Sequence, residues 1–172
     1  MTCRAVFGWL DENFERVLIL IFYSYFIFVI LVEITLRTLF SSSLHFTEES
    51  ARHAFIWLTW IAASLAAKKR LHISIDLVSR SLSRRGQFYL SFFYSALFIV
   101  FCLYGLRYVS PVIEAQIQFG VVSVATRYPM YLAYAAVPAG YGLMIVRVVQ
   151  NLVVDIADLR AGRPLRRGAA LI

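Results

Sequence analysis

Charge is scarce in this sequence: Asp, Glu, Lys and Arg together make up 16% of 172 residues, while 60% are hydrophobic. Soluble globular chains run at roughly 45–50% apolar and about 25% charged. Too few polar side chains remain to cover a water-soluble particle of this size, so lipid must face much of the surface. That excludes a soluble enzyme domain. Cysteine is scarcer still. Cys3 and Cys102 offer neither a framework of bridges nor close metal-ligand spacing. Acidic residues are outnumbered, 10 against 17 Lys and Arg, for a net charge of +7. In a soluble chain such an excess suggests nucleic acid; in a membrane chain it marks cytoplasmic loops.

A bilayer core about 30 Å thick needs roughly 20 apolar helical residues. Four runs approach that length, at about 17–36, 50–67, 88–106 and 129–149. The first contains Glu33 near its end. The third is uncharged. The fourth opens at Pro129, suited to a first helical turn, and carries Pro138 inside, where a kink is expected. The second is the shortest, uncharged only from Ala54 to Ala67, and reaches span length if Arg52 and His53 sit at the interface. The stretch before the first run carries Asp11, Glu12 and Glu15, unlike a cleavable signal, so it is read as retained.

Sorting Lys and Arg onto alternate sides of four spans gives 13 on one side and 4 on the other. The positive-inside rule then puts both termini and the middle loop in the cytoplasm. The same count supports the short second span, since without it the basic middle loop and the basic tail fall on opposite sides. No nucleic-acid partner is expected. The fold class is therefore all-α, a single four-span membrane domain covering 1–172. In the middle loop, Leu71, Ile75, Val78 and Leu82 recur at helical spacing between clusters of Lys and Arg. This suits an amphipathic segment lying in the cytoplasmic interface, with an ordinary solvated loop as the alternative.

Glu33 is the only acidic residue inside a run, and an intramembrane carboxylate is a functional candidate by default. It also precedes Arg37 by one turn, so an i,i+4 ion pair at the outer interface accounts for it without transport. An intersubunit contact and a proton site stay open. Of the three histidines, His45 and His53 fall at the outer side and His72 at the inner. No two share a depth, which argues against axial haem ligation. Thr47 suits a helix cap, with Glu48 and Glu49 in the first turn complementing the helix dipole. Ala62 with Ala66, and Ala63 with Ala67, form small-xxx-small pairs that admit a neighbouring helix, so the second span is expected inside the bundle. Ala136 and Gly140 repeat the device beside Pro138. Phe22, Tyr25, Phe26, Phe92, Phe93 and Tyr94 read as lipid-facing or helix-packing surface. No nucleophile with a base, glycine-rich phosphate loop or carboxylate pair emerges, so neither an enzyme nor a bound cofactor is expected.

The run Thr47-Glu48-Glu49-Ser50-Ala51-Arg52, then Trp57-Leu58, Lys68-Lys69-Arg70 and His72-Ile73-Ser74-Ile75-Asp76, resembles the small transmembrane subunit (Q subunit) of tripartite ATP-independent periplasmic (TRAP) transporters. Tyr128-Pro129-Met130-Tyr131 and Val137-Pro138-Ala139-Gly140 are a weaker echo, and the resemblance runs from about Asn13 to Leu152. Phe46 stands where the family often has Trp, and Ala62-Ala63 where it often has Gly. The resemblance implies a bacterial inner-membrane system. In it a large membrane subunit carries an organic acid delivered by a periplasmic substrate-binding protein, driven by sodium. The small subunit braces the large one and helps dock the binding protein. Besides the bilayer, those two proteins are the expected partners. Glu33, Arg37, Glu48, Glu49, Arg52, Trp57, Ala62, Ala63, Ala66 and Ala67 are the candidate interface or docking residues. His72 and Asp76 are assigned to ordering the cytoplasmic loop. The link 111–128, with Ile113, Ile117 and Val121 at helical spacing, is expected to rest on a partner near the outer surface. Two rival classes remain: a self-sufficient proton-coupled transporter working through Glu33, and a haem- or quinone-binding anchor of a respiratory enzyme.

Overall fold

The computed structural model describes residues 3–40, 45–70 and 84–161. These residues form α1 (Cys3–Phe40), α2 (His45–Lys68), α3 (Arg84–Gln118), α4 (Met130–Tyr134) and α5 (Ala136–Arg160). The stretches Asn13–Leu39, Gly86–Gln118 and Met130–Arg160 are long and apolar enough to cross a membrane; α2, with 24 residues, is not among them. The segment expected to be amphipathic, with His72 and Asp76, lies outside the described residues.

Two helices outrun their expected spans. α1 has 38 residues and α3 has 35, roughly 57 and 52 Å at 1.5 Å per residue. α3 passes through Pro111. Proline has no N–H to give the Arg107 carbonyl, but Ser110 Oγ donates to that oxygen at 3.3 Å, and the helix continues to Gln118. Only the rest of the 111–128 link is non-helical, turning at Gly120 (φ 56°) and closing by a bridge between Val122 and Pro129. The disturbance expected from Pro138 is a break at Ala135, between α4 and α5. Pro138 cannot donate to Tyr134 one turn back, yet Ala135 N–H reaches the Tyr131 carbonyl at 2.8 Å and Ala139 N–H the Ala135 carbonyl at 3.1 Å.

α1 packs on α2, α2 on α5, and α5 on α3. The order is a row, α1–α2–α5–α3, whose two end helices share no comparable interface among the described residues. α2 is interior, as its alanines suggested. Its Ala63 and Ala67 join Trp60, Phe98, Cys102, Tyr141, Met144 and Val148 in the core, whereas Ala62 faces outward and Ala66 is half-buried. Gly140 lets α5 approach: a Cβ there would lie 2.7 Å from Trp60 Cε3. Trp60 meets Tyr141 edge-on at 4.8 Å, and the Tyr141 ring fills the place of a side chain at Gly105. Phe22 stacks on Trp57, ring centroids 6.1 Å apart, and Phe26 meets Phe55. Tyr25, Phe92 and Phe93 are exposed with Leu20, Phe28, Leu31, Val100 and Leu103. Apolar surface this extensive requires lipid or another protein against it.

Candidate functional site

Polar side chains gather at the two ends of the row. At the end carrying the Lys- and Arg-rich segment, the Glu15 side chain is fully buried. Its carboxylate accepts from Arg147 Nε at 2.5 Å and pairs with Lys68 Nζ at 3.4 Å, joining α1, α5 and α2. Arg147 also donates to Gln150 Oε1 at 2.7 Å. Burying charges is costly unless they are paired and hydrogen-bonded, and these satisfy one another.

Beside this cluster lies a second. Arg70 follows the end of α2 in the left-handed region, φ 60°, which turns its side chain to α5. The guanidinium meets Asp155 through two hydrogen bonds, 2.7 and 3.0 Å, and donates to the Asn151 carbonyl at 3.1 Å. The forked geometry suits Arg and carboxylate. Ser91 Oγ of α3 reaches the same Asp155 at 3.2 Å. Asn151 Nδ2 donates to the Ala67 and Lys68 carbonyls at the end of α2, the Ala67 oxygen also accepting from the Arg70 N–H at 3.1 Å. The two clusters tie together all four long helices.

At the opposite end, Thr47 Oγ1 donates to Glu33 Oε2. The expected Glu33–Arg37 ion pair does not form among the described residues. Because α2 starts at His45, Thr47 sits inside the first turn, where it serves Glu33 on α1 instead of capping its own helix. Glu48 pairs with Arg52 at 2.9 Å in full exposure. Glu49 accepts from the Ala125 and Thr126 N–H groups, both at 3.1 Å, and so holds the α3–α4 loop on α2. The Ser123 hydroxyl lowers its pKa most; desolvation, next in size, opposes this, and the two N–H groups and nearby His53 lower it further. His53 also faces the Tyr128 ring at 5.5 Å.

Of the sequence candidates, Glu33 and Glu49 thus make contacts between elements, Trp57, Ala63 and Ala67 pack, and Arg37, Glu48, Arg52 and Ala62 are exposed. The buried clusters went unnoticed in the sequence, where Arg147 counted only towards topology and Lys68 and Arg70 towards topology and the resemblance. Part of their signal was present: the 13-to-4 count puts Lys68 and Arg147 on one side, the side of Glu15 just before the first run. Between the two ends the helices meet mainly through apolar and aromatic side chains, with the hydroxyls of Ser64 and Ser95 also buried. No group of three or more His, Cys, Asp or Glu is placed to hold a metal among the described residues. Chemically, the arrangement fastens helices.

The sequence matches the family model described as the DctQ component of tripartite ATP-independent periplasmic transporters over residues 26–158. It is 31% identical over 155 residues to the isethionate TRAP transporter permease protein DctMQ of Oleidesulfovibrio alaskensis, covering 86% of this chain and 24% of that protein. It is 27% identical over 128 residues to a Haemophilus influenzae protein described as a TRAP transporter small permease protein, covering 72% of this chain and 78% of that one.

Proposed function

Because the chain belongs to the DctQ component family of tripartite ATP-independent periplasmic transporters, we propose that it acts as a static brace for the large membrane subunit. In this reading its outer face also helps receive a periplasmic binding protein. The observation that carries the reading is the fastening of the row at both ends. Glu15 with Arg147 and Lys68, and Arg70 with Asp155, fix one end, and Thr47 with Glu33 the other. Helices so tied move together, which suits a scaffold against which another subunit moves.

The same contacts support α2 as a fourth span, with both chain termini on the inner side. From Glu15 to Glu33 along α1 is roughly 27 Å, close to the hydrocarbon thickness. α2 meets α1 at both levels, through Lys68 and Thr47. The relative named DctMQ, of which this chain matches a quarter, supports a large membrane partner, and the isethionate in its name suits uptake of an organic anion. Sodium coupling and a bacterial inner-membrane location complete the proposal.

Immobility is testable directly. With Glu33→Cys and Thr47→Cys joined by a thiol cross-linker in the assembled transporter, uptake should persist near the uncross-linked rate. Loss of uptake restored by cleaving the linker means that α1 and α2 must slide, which rejects a static brace.

A further inference from the structure

Residues 121–134, between α3 and α5, are tied chiefly to themselves. Met130 N–H donates to the Val121 carbonyl at 3.0 Å, Ser123 N–H to the Tyr128 carbonyl at 2.9 Å and Arg127 N–H to the Ser123 carbonyl at 3.2 Å. Leu132 N–H carries the pattern into α4, reaching the Pro129 carbonyl at 3.1 Å, and the Ser123 and Thr126 hydroxyls meet at 2.7 Å. The two ends of the segment are loose by comparison. Gly120 turns the chain at φ 56°, and a Cβ there would find no atom within 4 Å, so packing does not stiffen that turn. At the other end the helix breaks at Ala135, and Pro138 returns no N–H to the Tyr134 carbonyl.

The hold on the rest of the protein is slight. Setting aside the backbone at these two joints, every hydrogen bond that leaves the segment among the described residues ends on Glu49 of α2. Ala125 and Thr126 N–H reach it at 3.1 Å each, and Thr126 Oγ1 at 3.5 Å. Only Ser123 and Ala133, both small, are buried, while Val122 and Val124 stand exposed. Little buried apolar surface and a single polar attachment mark a unit that opens more readily than the core.

We propose that residues 121–134 form a flap, hinged at Gly120 and Ala135 and latched to α2 by the Glu49 carboxylate. With the latch open the flap swings from α2 as one body, while the four long helices, tied by the Glu15 and Asp155 clusters, keep their places. A molecule arriving at this end of the row meets one of two surfaces, and Glu49 sets which. The inference goes beyond bracing: it stands on these contacts and holds whether or not the chain braces a larger subunit.

Hydrogen exchange of the full chain in detergent, resolved to single amides, tests it. In the wild type the Ser123, Arg127, Met130 and Leu132 amides should open together, with protection factors within about threefold of one another. Glu49→Ala should speed all four about tenfold, the loss of hydrogen bonds to a charged group, and leave the α5 amides from Met144 to Asp155 unchanged. Thr126→Cys cross-linked to Glu49→Cys, in a chain carrying Cys3→Ser, should slow Met130 and Leu132 below their wild-type rates. Unchanged rates at Met130 and Leu132 in Glu49→Ala, whether or not Ala125 and Thr126 speed up, mean a local contact and no flap. A speed-up that spreads into α5 means that the segment is not a separate unit. Either result overturns the proposal, as does a cross-link that leaves Met130 and Leu132 at their wild-type rates.

Discussion

Glu15 and Arg147 stand 132 residues apart in sequence and 2.5 Å apart in the fold, the carboxylate accepting from Nε with both side chains buried. The pair sets α1 against α5 at the end that carries Lys68, Lys69 and Arg70, with Lys68 of α2 as the third member. Removing one partner of such a pair leaves the other buried without its counter-charge.

Glu15→Gln should therefore cost about 3–5 kcal/mol, read as a lower melting temperature of the detergent-purified chain. Combining it with Arg147→Met should recover much of the loss. A double variant as damaged as the sum of the singles indicates that the two residues act independently.

Gly140→Ala places a methyl group 2.7 Å from Trp60 Cε3 and 2.8 Å from Trp60 Cβ. The Trp60 Cβ is fixed to the backbone, so α2 and α5 must part. Destabilisation of about 1–3 kcal/mol is expected, and adding Trp60→Phe should not relieve it, because phenylalanine keeps that Cβ. An unchanged melting temperature for Gly140→Ala contradicts the close approach.

The Glu49 contact should depend on pH. Its carboxyl in the fold lies below the ordinary 4.5, owing first to the Ser123 hydroxyl and then to the loop N–H groups. The released residue takes up its proton nearer 4.5, so the contact is fully present above that value and is lost as pH falls through the lowered one. Hydrogen exchange at the Ala125 and Thr126 amides, corrected for intrinsic rates, should speed up on acidification. Glu49→Ala should show the faster exchange already at neutral pH. Protection that survives acid and Glu49→Ala alike means the carboxylate does not hold the loop.

Glu33 separates a structural role from a proton site. Glu33→Gln keeps an acceptor for Thr47, so assembly and uptake should match wild type. Glu33→Ala should cost about 1 kcal/mol. Uptake lost in Glu33→Gln with normal assembly identifies a carboxylate that titrates during transport.

The uncharged stretches 88–106 and 129–146 are legible from composition alone, because nothing in them opposes burial in lipid. α2 is legible only indirectly, through the charge count and its alanines, since Glu48, Glu49, Arg52 and His53 dilute its apolar signal. The ion clusters are hidden for a different reason. Glu15 meets residues 53 and 132 positions away, and charge pattern along one helix does not report partners on another. Glu33 shows the limit of the local rule. Its i+4 neighbour Arg37 was the expected partner, but the start of α2 at His45 brought Thr47 to it instead. Pro111 shows the same in the backbone, where Ser110 supplies the donor proline lacks and α3 runs on.

The central claim is that the chain fastens and does not carry. Proteoliposomes holding this chain alone, given a sodium gradient, binding protein and radiolabelled organic anion, should show no uptake above empty vesicles. Adding the large subunit should restore sodium-dependent uptake. Saturable uptake by this chain alone contradicts the account.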